Sequence, residues 1–503
     1  MFCSIRPPHL VSGEALYDHN QSLGWAQFET AVRGLVTLLR EEWRLGPGDH
    51  LALLAGNRVE YPVAFLAGML AGAWVTPVNT HLAAPEIAHI LADSGARLVL
   101  CDREHRHLLP SGEKRFTADL SEVVASALRA PPAHISPGDP AGGPMLYTSG
   151  TTGVPKGVKR AKPAEVGAMF TRMREFGRLL GLDGRGPHLV TGPLYHAAPG
   201  LFSLYDLLNG APLVILPKWD VEAFARSVGE FGVRRTHLVP TQFVRLLEAR
   251  ESGRLSGELP GTLSHVLHGA APVAPTIKKQ MIQWWGRILT EYWGGTESGV
   301  ITLCNSEEWL ARPGTVGRPL PDYEVFVGDE RGLPSGLSEG PLYCRHRRLS
   351  QVFSYHNDPE KTRRAHPRPH VFSLGDVGRV DEAGFVFLAD RQSHVILSGG
   401  VNVYPAEVER ALLEHPAVRD ATVFGIPDPE WGEQVAAVVE PNVRATEGLD
   451  DALRAFLRTR IASFKVPRQI GFASPLPRQP TGKIRTADLL RYLHREHRDK
   501  RRY

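Results

Sequence analysis

Cysteine is scarce: four residues in 503 (Cys3, Cys101, Cys304 and Cys344), none closely spaced, which excludes a disulfide-stapled scaffold and a cysteine-rich zinc framework. Nothing like a signal peptide precedes them, so reduced thiols and a cytoplasmic location are expected. An excess of either charge is also missing. The formal net charge of +4 is too dilute over this length to indicate nucleic acid, although a slight basic excess suits anionic small molecules. No apolar run reaches the roughly 18 to 20 residues of a membrane span. The nearest, PVAFLAGMLAGAWVTPV within the uncharged stretch Tyr61–Pro85, carries a helix-stopping glycine at Gly72 and then the β-branched, proline-ended Trp74-Val75-Thr76-Pro77-Val78. That pattern predicts a core helix feeding a buried strand. No internal repeat is visible. What is present is a 42% hydrophobic, 22% charged chain, the composition of a folded globular protein in which fifty glycines and forty prolines mark turns.

Short apolar runs alternate with amphipathic ones. HLALLAG from His50, ARLVLCD from Ala96, PLVILP from Pro212, THLVP from Thr236 and HVLHGA from His265 read as buried strands. Between the first two, PEIAHILADSG places Ile87, Ile90 and Leu91 on one helical face before a glycine stop. The alternation indicates α/β layers with mostly parallel sheets. From Tyr323 the signals turn antiparallel, with a hairpin at Asp381-Glu382-Ala383-Gly384. After residue 391 a smaller α/β pattern resumes, with PAEVERALLEHP starting on Pro405 and DALRAFLRTRIASF placing Leu453, Phe456, Leu457 and Ile461 on one face. Two domains are therefore expected, 1–390 and 391–503.

The most informative segment is YTSGTTGVPKG. Glycines let backbone N–H groups approach phosphate oxygens, the hydroxyls of Thr148, Ser149, Thr151 and Thr152 add donors, and Lys156 supplies charge, together an anion-binding nest around Gly150. It is not a Walker A loop, because Lys156 lies between Pro155 and Gly157.

This segment resembles the phosphate-binding signature of the acyl-adenylate-forming superfamily, in its acyl-CoA synthetase branch. Further blocks similar to that family follow in order: Pro193-Leu194-Tyr195-His196, Gly269-Ala270-Ala271-Pro272, Trp293-Gly294-Gly295-Thr296-Glu297, Gly375-Asp376, Asp390-Arg391, Ser398-Gly399-Gly400 with Tyr404-Pro405-Ala406-Glu407, and Pro480-Thr481-Gly482-Lys483. The resemblance covers nearly the whole chain. It implies an α/β fold with a large N-terminal domain of layered α/β subdomains plus a small β-barrel-like part, followed by a small mobile α+β C-terminal domain.

The implied chemistry is ATP-dependent conversion of a carboxylic acid to acyl-AMP and then to acyl-CoA, with ATP, Mg²⁺ and coenzyme A. By the resemblance, Thr296 bonds the α-phosphate, Glu297 holds Mg²⁺, Trp293 stacks on adenine, and the Gly269–Pro272 backbone reads its edge. Asp376 accepts from ribose hydroxyls with Arg391 nearby. Lys483, about ninety residues past the domain boundary, is the catalytic cation, delivered only when the small domain closes. Ser398, Gly399 and Gly400 line the thiol tunnel. His394 stands at the hinge, where relatives commonly carry Asp, Glu or Lys, so its charge depends on pH near neutrality.

The acyl pocket is expected beside Tyr195, His196, Gly294, Gly295 and the stretch from His237 to Phe243. At Gly294 acetate-specific relatives carry a blocking tryptophan, so a larger acid is expected here: a medium or long fatty acid, a steroid side-chain acid or a bulky aryl acid. Trp284 and Trp285 could line such a cavity, but adjacent residues point apart, so at least one packs elsewhere. Gly336-Leu337-Ser338-Glu339-Gly340 matches a hydrolase elbow in letters but precedes a strand. Cys101, His105 and His107 lack a zinc spacing. The basic tail from His494 to Arg502 reads as a solvated helix end, with peripheral contact to an anionic membrane surface as a second reading. Two rival functions stand beside the ligase: loading of a free-standing carrier protein, and an inactive nucleotide- or acyl-CoA-binding relative.

Overall fold

The computed structural model describes residues 13–110, 115–148, 155–255, 261–270, 273, 275–391, 396–403, 405–442, 448–477 and 486–493. Ser149, Gly150, Thr151, Thr152, Ala271, Pro272, His394, Tyr404, Lys483 and the basic tail lie outside them. The chain forms two compact units, the larger drawn from residues up to Asp390 and the smaller from Arg391 onward with the short segments 81–89 and 149–156.

In the larger unit, β1 (His50–Leu54) leads through α1 (Glu60–Leu70) to β2 (Trp74–Pro77); the chain then passes through α2 (Ala84–Ser94), of which only 90–94 belong to this unit, to β3 (Leu98–Cys101) and β4 (Phe116–Asp119). The uncharged run is thus a helix and a strand: every residue of α1 is buried, and the left-handed Gly72 (φ +92°) follows its end. The one carboxylate of α1, Glu60, is held by Arg58 at 2.9 Å. Strands β5 (Gly143–Thr148) and β6 (Lys156–Arg160) extend this sheet on the side of β2.

A second sheet begins with β7 (His188–Val190), α3 (Ala197–Asn209), β8 (Leu213–Ile215), α4 (Val221–Phe231), β9 (Arg235–Leu238), α5 (Pro240–Glu251), β10 (His265–His268), α6 (Pro275–Trp285) and β11 (Leu289–Gly295). Its order is β8-β7-β9-β10-β11, all parallel, as the apolar runs joined by helices predict. The sheet then turns antiparallel at β12 (Gly299–Asn305) and continues into a block holding β13 (Tyr323–Val327), β15 (Asp376–Val380) and β16 (Val386–Arg391), while β14 (Phe353–Tyr355) pairs with β6 in the first sheet. The expected hairpin is there, closed by the Gly384 N–H donating to Asp381 O.

The smaller unit is α+β. A five-stranded sheet holds β17 (Ile396–Ser398), β18 (Val401–Val403), β19 (Val418–Asp428), β20 (Gly432–Pro441) and β21 (Gln469–Phe472), with α7 (Pro405–Leu413) and α8 (Leu449–Arg458) packed on it. One detail differs from the periodicity reading. Helix α8 ends at Arg458, so Ile461 reaches the core from beyond the helix, and Phe456 is only half-buried, its ring edge-on to His415.

Candidate active site

Ligands of open α/β sheets bind at the carboxyl ends of the strands, and several of the predicted residues lie there. Gly269 and Ala270 follow β10; Trp293, Gly294 and Gly295 end β11, the next strand; Thr296 and Glu297 come directly after. In the first sheet, Thr148 is the last residue of β5 and Lys156 the first of the neighbouring β6. Ala270 carries a positive φ of +67°, uncommon for a residue with a side chain and a mark of a backbone held by its surroundings.

Side chains that sequence reasoning missed fix the turn after β11. Arg160, at the end of β6, donates from Nε to Thr296 O at 2.7 Å, and Gly295 N donates to Ser298 Oγ at 3.2 Å. Tyr355 donates its hydroxyl to Glu297 Oε1 at 3.1 Å. Among the described residues no basic side chain pairs with Glu297, so a half-buried carboxylate is presented with a neutral partner. Behind the turn, Trp293 Nε1 donates to Asp376 Oδ2 at 3.0 Å, joining the residue expected under adenine to the one expected on ribose. Both are buried. Arg391 is the last residue of β16.

On the side of α3, Tyr195 and His196 precede the helix with rings 4.7 Å apart, and burial raises the Tyr195 phenol. Asn57, after β1, holds this segment by accepting from Leu194 N at 2.8 Å and donating to Gly192 O and Leu216 O. An asparagine between a glycine and an arginine gave no signal in the sequence, because its partners lie more than a hundred residues away.

Two expectations need a different physical reason. A Cβ at Gly294 would collide with the Gly299 carbonyl, so this glycine admits the backbone of β12 and leaves no vacant side-chain space for a larger acid. The tryptophans of α6 are engaged in packing: Trp285 stacks on Phe224 at 6.1 Å and meets Phe243 edge-on, while Trp284 lies under Arg250. Their neighbour Phe243 touches His268, which points to the opposite sheet face from Leu267 by strand alternation.

In the smaller unit, Ser398↔Val401 pairing makes Gly399 and Gly400 a two-residue hairpin turn with φ of +60° and +81°. Both glycines are required by that turn, and a Cβ on Gly399 would strike the Trp431 ring.

Among the described residues no group of three or more His, Cys, Asp or Glu could hold a metal, and Cys101, His105 and His107 form none: His105 Nδ1 is bound to Asp102 at 2.7 Å and Cys101 is buried. A lone Glu297 nevertheless fits Mg²⁺, which is usually bound by one or two carboxylates plus substrate phosphates and waters. The Ser338 segment is an exposed loop ahead of a strand, with no elbow.

Residues 9–353 match the model of the AMP-binding enzyme family and 407–483 that of the AMP-binding enzyme C-terminal domain. The chain belongs to the AMP-binding enzyme family. Relatives include the long-chain-fatty-acid–CoA ligase FadD13 of Mycobacterium tuberculosis, 31% identical over 88% of this chain and 87% of that protein. Another is a 2-succinylbenzoate–CoA ligase of Bacillus velezensis, 30% identical over 93% of each. Among solved structures, the amide bond synthetase McbA from Marinactinospora thermotolerans superposes with a TM-score of 0.82 at 26% identity, covering 95% of this chain and 97% of that one. Family membership confirms the resemblance and the fold. No helix among the described residues is long and apolar enough to cross a membrane.

Proposed function

We propose that this member of the family is an AMP-forming acid–thiol ligase that joins an organic acid larger than acetate to AMP and then to coenzyme A in the cytoplasm. The observation that carries the reading is the locked turn after β11, where Arg160 and Tyr355 hold Thr296 and Glu297 beside the Trp293–Asp376 pair. The fatty-acid and succinylbenzoate CoA ligases among its relatives support the acceptor.

In the first step a carboxylate oxygen attacks the α-phosphorus of ATP and the bond to the bridging oxygen breaks, releasing pyrophosphate. Thr148 and Lys156, with the Ser149–Thr152 loop, receive the β- and γ-phosphates, while Thr296 binds the α-phosphate. Glu297 would hold Mg²⁺, which when bound would supply positive charge against the phosphates. Lys483, in the domain 391–503, stabilises the acyl-phosphate oxygens as negative charge shifts, a contribution worth roughly a hundred- to a thousandfold in rate for a single group of this kind. The thiol of coenzyme A then loses its proton and attacks the acyl carbon, and AMP leaves. His394 serves as the hinge between domains 1–390 and 391–503, and Ser398–Gly400 line the thiol path.

The test is incubation with acid, ATP and coenzyme A, with acyl-CoA and AMP detected by mass. Lys483→Ala is expected to lower pyrophosphate exchange by about a hundredfold or more while ATP binding persists; exchange unchanged in that variant removes the lysine from its role. Acyl transfer to a carrier protein or an amine, with none to coenzyme A, overturns the acceptor.

A further inference from the structure

Residues 341–370 carry seven arginines and lysines against two acidic residues, a net +5 that exceeds the +4 of the whole chain. Four of these cations have partners of their own. Arg345 is paired with Glu324 at 2.6 Å, Arg348 with Asp322 and Arg364 with Glu360, and the Lys361 ammonium lies 4.1 Å from the centre of the Tyr355 ring. Among the described residues no carboxylate, carbonyl or ring takes the guanidinium of Arg347, Arg363 or Arg368, and all three are exposed. They are also grouped. Arg363 and Arg368 line a hollow of about 690 Å³ with Tyr355 and His366, and Arg347 and Arg368 line a second one of about 390 Å³ with His346 and His370. Arg368 and Pro369 belong to both, so the two hollows make one groove. Asp358 is the one carboxylate lining it among the described residues, and its Oδ1 accepts the Lys361 N–H at 3.0 Å. Tyr355 ties the groove to the site already described, because its hydroxyl donates to Glu297 Oε1 at 3.1 Å.

We propose that this groove is a second polyphosphate site, separate from the 148–156 phosphate loop, which takes pyrophosphate or another phosphoanhydride chain through Arg363, Arg368 and Arg347. A guanidinium fork matches the paired oxygens of a phosphate and keeps its charge at every working pH. Cations of one sign in a concavity concentrate their field on the anion that enters it. The occupant is a chain of charge and not a nucleobase, because Lys361 already covers the tyrosine of the groove. The concave shape likewise does not suit the flat surface of a bilayer. Two sources share this chemistry: the pyrophosphate that the ligase reading releases beside Glu297, and free polyphosphate arriving from solution. The site stands apart from that reading in one respect, since binding needs no turnover.

In the experiment, phenylglyoxal, which modifies exposed arginines, is applied to the full chain with and without inorganic pyrophosphate at constant ionic strength, and the modified residues are located by peptide mass. Pyrophosphate is expected to slow modification of Arg363 and Arg368 by about tenfold, while Arg44, exposed ahead of β1, changes by less than about twofold. Calorimetric titration with pyrophosphate should show a site that the double variant Arg363→Gln, Arg368→Gln weakens by about tenfold or more and that Lys156→Ala leaves unchanged. Equal protection of Arg44, no protection of the groove, or a double variant that keeps every site of the parent overturns the proposal. Tighter binding of pyrophosphate than of long-chain polyphosphate identifies the reaction product as the source, the reverse order identifies free polyphosphate, and either supports the site. A poly-glutamate peptide that protects these arginines at lower concentration than both phosphates overturns it in favour of a protein partner. If acid, ATP and coenzyme A yield no pyrophosphate but the protection appears and is lost in the double variant's titration, the ligase reading fails and the site stands.

Discussion

Strand β11 and the turn after it carry two glutamates that look alike in the sequence and do opposite work. Glu291 points into the helix layer and is paired with Lys278 of α6, whose ammonium also lies 4.9 Å from the centre of the Trp309 ring. Both are buried, and burial pushes the Glu291 carboxyl up and the Lys278 ammonium down. Glu297 is half-buried at the mouth of the sheet and has a phenol as its partner. The pair at Glu291 cancels charge inside a core. The arrangement at Glu297 leaves the carboxylate un-neutralised, and on the proposed function that charge is kept for a cation that arrives with substrate.

The largest expected effect tests that contrast directly. Lys278→Met removes the partner of a buried carboxylate and should cost about 3 to 5 kcal/mol of stability, read as a lower midpoint in urea. The double variant Lys278→Met, Glu291→Leu should recover most of that loss, since an apolar pair of similar volume is often as stable as a buried ion pair. Glu297→Gln should do the reverse, leaving the urea midpoint within about 0.5 kcal/mol of the parent while lowering the adenylation rate by roughly a hundredfold. If Glu297→Gln unfolds the protein, or Lys278→Met spares it, the division between the two carboxylates is wrong.

The fold was largely legible in the sequence because its strongest signals are local. The run from Tyr61 to Val78 could be divided into helix and strand from one glycine and a few β-branched residues, and the parallel sheet followed from apolar runs separated by helices. The positions of Gly269, Trp293, Thr296 and Asp376 came from a family resemblance, and the structure adds what joins them. The supports were illegible for a physical reason: Arg160 reaches Thr296, Tyr355 reaches Glu297 and Asn57 reaches Leu194 across 136, 58 and 137 residues of chain, through hydrogen bonds with no periodic trace. Gly294 shows the opposite failure. Its missing side chain suggested pocket space, whereas the bulge between Trp293 and Gly294 brings the β12 backbone into that space.

A smaller effect sharpens the comparison at the partner instead of the carboxylate. Tyr355 is to Glu297 what Lys278 is to Glu291, except that a hydroxyl orients the oxygen without neutralising it. Tyr355→Phe removes one hydrogen bond to a charged group, worth about 1.5 kcal/mol or roughly tenfold. The loss should appear as a tenfold rise in the Mg²⁺ concentration giving half-maximal pyrophosphate release, with kcat at saturating Mg²⁺ changed by less than about threefold. A merely structural tyrosine would instead lower the unfolding midpoint and leave the Mg²⁺ dependence alone. The same position offers a stricter check, because a lysine there would convert the site into a copy of the buried pair. Tyr355→Lys should therefore raise the half-maximal Mg²⁺ concentration far more than Tyr355→Phe does, and equal effects from the two would mean that the neutrality of the partner has no part in keeping Glu297 available to a cation.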